Sequence, residues 1–172
     1  MSEALVSARV AATVADFFPH RYPFLLVDRV EEAGPERAVA VKAVTATEPW
    51  FPGHFPERPV LPGVILLEAM AQTGRFLKPL DRELVSSRLA RIDAVKFFRE
   101  AVPGDVIRME ATTEAELGEV SKYRVVASID GEPCATAQFT VHSILGSPEG
   151  SEASDGEARY ARAGSQNAGA LA

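Results

Sequence analysis

Cysteine and histidine are scarce in this chain. One cysteine, Cys134, stands among 172 residues. That excludes an internal disulfide framework and fits a reducing compartment, the cytoplasm. The three histidines, His20, His54 and His142, lie far apart without tight ligand spacing, so no dedicated metal site is expected. Long apolar runs are missing too. The longest uncharged one, Val60 to Leu67, is far short of the roughly 20 residues of a membrane-spanning helix. The start, MSEALVSARV, has no basic segment leading into a solid apolar block, and no secretory signal is expected. Positive charge is in deficit: 18 Lys and Arg against 24 Asp and Glu leave a net charge of −6. Nucleic acid is therefore not expected as the main partner.

What remains is ordinary globular material, 47% hydrophobic, enough for one domain with a sizeable core. Val6, Val10, Val14 and Phe17 recur at spacings of three and four, which predicts an amphipathic helix over Leu5 to Phe18. LLVDRVEEA and RAVAVKAVTAT read as two β-strands around a Gly34-Pro35 turn. EPWFPGHFPERPVLPG then holds five prolines and two glycines in 16 residues and can form neither regular strand nor helix. Val64 to Leu77 is the best helix candidate. Pro62 suits its N-terminus, and VILLEAMAQ is apolar all round, as in a buried helix. Four more strands follow: Arg88 to Phe98, Val106 to Glu116, Lys122 to Ile129 and Cys134 to Leu145. Asp130-Gly131 marks a hairpin between the last two. The order implies an α+β domain over residues 1–145, an antiparallel sheet of about six strands wrapped around one helix. Gly146 to Ala172 carries seven Ala, five Gly and four Ser and reads as a disordered tail.

The chemistry concentrates around that helix. Glu68 is its one acid, flanked by Val64, Ile65, Leu66, Leu67, Ala69, Met70 and Ala71. Taking a carboxylate out of water favours its protonated form, the form a general acid needs. Gln72 lies one turn on, within reach of Glu68. His54 sits between stiff proline and aromatic neighbours, which suit a neutral imidazole acting as base. Gly63 opens the helix, where a backbone N–H at the positive end of the dipole can donate to a developing oxyanion. A base, an oxyanion donor and an acid in the pattern H-x7-P-G-x4-E suit proton abstraction beside a carbonyl, with a leaving group lost from the next carbon.

RYPFLLVDRV, EPWFPGHFPERPVLPGVILLEAMAQTG and DAVKFF with VPGD resemble the motifs of the β-hydroxyacyl-acyl carrier protein dehydratases of FabZ type, from about Phe18 to Leu145. The resemblance implies a hotdog fold with a long central buried helix. It also implies dehydration of (3R)-3-hydroxyacyl thioesters to trans-2-enoyl thioesters in fatty acid or related acyl-chain biosynthesis, without a cofactor. It places the catalytic histidine on His54, the catalytic acid on Glu68 and the carbonyl-polarising amide on Gly63; Phe55, Val64 and Gln72 are expected on the substrate side. The partner it implies is acyl carrier protein, with a homodimer as the minimal active unit and a trimer of dimers as a larger assembly. Between Arg75 and Arg99, seven basic and three acidic residues give a local net of +4, which suits docking of an acidic carrier at Arg75, Lys96 and Arg99. Arg75 stands where the family usually has a small or apolar residue. SSRLARID lacks the aromatic often found before the DxxKF block. Two other readings fit the same fold: a hotdog thioesterase, which would release free thiol, and a non-catalytic carrier-binding subunit.

Overall fold

The computed structural model describes residues 14–78 and 84–146. Most of the expected N-terminal helix and the expected tail beyond Gly146 lie outside them. Six strands form one sheet: β1 (Arg29–Glu32), β2 (Arg37–Ala43), β3 (Leu84–Phe97), β4 (Val106–Leu117), β5 (Val120–Ile129) and β6 (Glu132–Leu145). Their order is β1-β2-β4-β5-β6-β3, and every neighbouring pair is antiparallel. One α-helix, α1 (Gly63–Thr73), runs on into a 3-10 turn at Gly74–Leu77. A second 3-10 turn at Val14–Phe17 is what the described residues hold of the first expected helix.

Strand alternation sets the core. In β5, Ser121, Tyr123, Val125, Ala127 and Ile129 are buried in turn, the period of two that places them on one face. Asp130 and Gly131 both take positive φ, the primed turn geometry that joins twisted strands closely. The helix packs Leu66, Ala69, Met70 and Thr73 towards this face. Met70, Phe76 and Phe139 are fully buried there, each worth about 1.5–3 kcal/mol of burial.

Two expectations are corrected in detail. β1 begins at Arg29 rather than Leu25, because the backbone of Leu26 is taken by a side chain instead of a neighbouring strand: its N–H donates to Gln72 Oε1 at 2.9 Å. And α1 is buried on one side only. Val64 is 72% exposed and Glu68 half-buried, so a single chain leaves one side of an apolar helix uncovered. β3, an edge strand, is open along its other side and exposes Val85, Leu89, Val95 and Phe97.

Candidate active site

The proline-rich segment is a chain of turns rooted on a buried ion pair. Lys42 Nζ on β2 meets Glu48 Oε1 at 3.1 Å, and the Trp50 ring lies 5.9 Å from the same ammonium. The same carboxylate oxygen accepts Thr45 N–H at 3.0 Å. From there Gly53 N–H reaches Trp50 O and His54 N–H reaches Phe51 O, so the backbone winds tightly up to the histidine. His54 is then held from both ends by one residue. Its carbonyl accepts Val60 N–H at 3.2 Å, and its Nδ1 lies 2.9 Å from Val60 O. A carbonyl can only accept, so Nδ1 carries the hydrogen. In the neutral ring Nε2 is then left with its lone pair, the arrangement of a base. The His54–Phe55 peptide is cis, and the two rings stack with centroids 4.2 Å apart.

Leu61 N–H donates to Ala101 O at 2.8 Å, which seats the chain for entry into α1. A Cβ on Gly63 would stand 3.0 Å from the Phe97 ring, so a larger residue there would press on that ring where β3 passes the helix start. Ile65 N–H already donates to Pro62 O at 2.9 Å, while the N–H groups of Gly63 and Val64 precede any intrahelical acceptor and sit at the positive end of the helix.

Further along α1, a glutamine orients the acid. Gln72 Nε2 donates to Glu68 Oε1 at 3.0 Å and to Phe24 O at 2.8 Å, while Gln72 Oε1 accepts Leu26 N–H. Both amide donors and the carbonyl are used, and a flipped amide would face an N–H with an NH2. The orientation is therefore determined, and with it one oxygen of Glu68. Tyr123 closes the back: its hydroxyl donates to Ala71 O at 2.9 Å. Burial, and secondarily the Glu68 carboxylate, hold its phenol well above the usual range, so it stays protonated. A Cβ on Gly74 would fall 2.2 Å from the Tyr123 ring, so any larger residue there must displace that ring.

Glu68 opens onto a cavity of about 210 Å³ lined from α1 and from β3 to β6, with His20, Phe24, Gln72, Arg75 and Tyr123 among its walls. His54 is not among its lining residues. Within one chain the imidazole and the Glu68 carboxylate thus do not line the same cavity. Phe55 and Val64 are exposed on the His54 side. Arg75 requires a correction: it is only 7% exposed, turned inward, with Nε donating to Phe17 O and Nη1 to Lys78 O. A carrier could not reach it. The Val14–Phe17 turn draws it in, and burial lowers its pKa. Lys96 and Arg99 are at the surface, Arg99 beside Asp105 and Asp130. Sequence reasoning assigned no role to His20, Phe97 or Tyr123. A place in a strand says nothing about which helix residue Tyr123 meets, and only the fold brings it beside Glu68.

A family model describing a FabA-like domain matches residues 18–138. The chain belongs to this family. Among curated proteins it is 44% identical over 154 residues to the 3-hydroxyacyl-[acyl-carrier-protein] dehydratase FabZ of Cereibacter sphaeroides, covering 87% of this chain and 97% of that protein. It is 46% identical over 132 residues to the FabZ of Anaeromyxobacter sp., covering 73% and 85%. Among solved structures, the dehydratase heterocomplex ApeI:P from Xenorhabdus doucetiae superposes with a TM-score of 0.66 at 16% identity, covering 77% of this chain and 91% of that one. A hypothetical thioesterase from Streptococcus pneumoniae reaches 0.55 at 13% identity, covering 68% and 85%. At such identities these two speak for the hotdog fold alone, and the fold of this FabA-like chain is that one.

Proposed function

We infer that the protein dehydrates (3R)-3-hydroxyacyl thioesters on acyl carrier protein to trans-2-enoyl thioesters, as the FabZ relatives are named for doing. The observation that carries the reading is the His54–Val60 pair, which protonates Nδ1 and leaves Nε2 as the acceptor. Nε2 removes the α-proton, whose acidity the thioester supplies. The N–H of Gly63 holds the thioester oxygen as charge builds on it. Glu68, oriented by Gln72, protonates the β-hydroxyl, which leaves as water. The electron pair of the broken Cα–H bond becomes the new double bond.

The reacting groups come together across a two-fold dimer. Pairing of the open β3 edges joins two sheets and covers the exposed Val64 and Phe55. It brings His54 of one protomer to the cavity mouth of its partner. Lys96 and Arg99 remain as the carrier-docking positions, and the trimer of dimers as the larger assembly. The thioesterase reading has only fold-level likeness behind it.

Refolding equal amounts of His54→Ala and Glu68→Gln protein together tests this arrangement. Half of the random dimers are mixed and each carries one intact site, so about a quarter of wild-type dehydration returns. No return despite demonstrated subunit exchange would sink the shared site. Release of free thiol instead of enoyl product would sink the dehydratase.

A further inference from the structure

The loop that carries His54 is tied down at both ends to one turn. At its start Val44 N–H donates to Asp105 O, and Val44 O accepts Gly104 N–H, both at 2.9 Å. At its end Leu61 N–H donates to Ala101 O. Lys42 reaches into the closed loop from β2; it is 4% exposed and meets Glu48 Oε1. From Glu48 a line of backbone bonds leads to the imidazole. Glu48 N–H returns to Thr45 O, Phe51 N–H donates to Glu48 O, and His54 N–H donates to Phe51 O. The carboxylate thus fixes the turn from which Phe51 and then His54 are hung. Stability does not account for the pair. Attraction between two buried charges offsets their desolvation only when their remaining bonds are also made. Here Glu48 Oε2 is buried without a hydrogen-bond partner among the described residues, and so is Trp50 Nε1, whose ring faces the Lys42 ammonium. An apolar pair of similar volume would hold the loop shut as firmly. What the ions add is a single geometry, because apolar side chains pack in several arrangements and this pair bonds in one.

We propose that Lys42 and Glu48 are positioning residues for the reaction, a buried ion pair that sets the place of the His54 imidazole and through it the turnover rate. The proposal rests on the dehydratase reading, in which Nε2 of His54 removes the α-proton. A base displaced by about 1 Å loses on the order of 10²-fold in rate. Substrate binding, which does not run through this loop base, is left nearly as it was.

The test replaces both members at once, Lys42→Met together with Glu48→Leu, and follows dehydration of a series of (3R)-3-hydroxyacyl thioesters on acyl carrier protein. The urea midpoint of this double variant is expected at or near that of wild type, while kcat falls about 10–100-fold and KM moves far less. Made in the His54→Ala protein, the same two substitutions should lower the residual turnover by less than about twofold, because the pair acts through the imidazole. Full multiplication of the two losses would show a general effect on the fold and overturn the proposal. An unchanged kcat in the folded double variant overturns it as well and leaves the dehydratase standing. If the double variant does not fold, Glu48→Gln carries the test, since it keeps the side-chain shape and an acceptor for Thr45 N–H. Its kcat should fall several-fold when His54 is present and not when His54 is alanine; an equal effect in both, or none in either, overturns the proposal. Failure of wild type to dehydrate any of the thioesters overturns the parent reading and this one with it.

Discussion

The loop that carries His54 and the helix end that carries Glu68 hold their side chains by different means. His54 is fixed by the backbone of its own loop, its N–H going to Phe51 O and its carbonyl and Nδ1 to Val60 six residues on. Glu68 is fixed by a side chain, Gln72, whose other partners lie 46 and 48 residues away in the entry segment. The first is a local device on an outer surface. The second is a tertiary device beside an internal cavity. The contrast teaches how a small fold fixes two polar side chains. The imidazole depends on its own loop, and the carboxylate on a glutamine that only the folded chain anchors.

The sharpest way to break the comparison is to remove the two groups separately. His54→Ala and Glu68→Gln should each lower turnover by about 10²–10⁴-fold, the scale of lost acid–base catalysis, with unchanged circular dichroism. Near-normal turnover in either variant would contradict its role. Lys42→Met comes next, because it leaves Glu48 buried without its cation. Loss of about 3–5 kcal/mol is expected, read as a lower midpoint in urea unfolding, and it strikes only the His54 side.

Gln72→Leu strikes the other side. It frees the Glu68 carboxylate and orphans Leu26 N–H, and kcat should fall about 10–100-fold, as when a supporting hydrogen bond to a functional group is lost. KM should move far less. Equal changes in kcat and KM would show that Gln72 serves binding rather than orientation. Tyr123→Phe is the mildest change. It removes one hydrogen bond to Ala71 O, which the Gly74 N–H also reaches, so a loss of about 1 kcal/mol is expected by thermal melting. Gly74→Ala would cost more at the same spot, about 1–3 kcal/mol, since the Tyr123 ring must move aside.

Local chemistry by itself determined much of this protein. Strand-forming residues placed β5, Asp130-Gly131 placed its turn, five prolines excluded regular structure between Glu48 and Gly63, and the His54, Gly63 and Glu68 spacing singled out a candidate site. These signals lie within a few residues of one another, where backbone geometry alone decides. The tertiary structure decided what long-range register brings together. Arg75 looked like one more surface cation in a basic stretch until the Val14–Phe17 turn offered it a carbonyl inside. Ser87, Ser121 and Ser143 carry no signal in sequence, being small polar residues on three different strands. They share a cavity only because β3, β6 and β5 align as they do, and no short-range pattern encodes that alignment. The apolar circumference of α1 is the case between the two. Its sequence required burial on every side, and the fold of one chain supplies it on one side only.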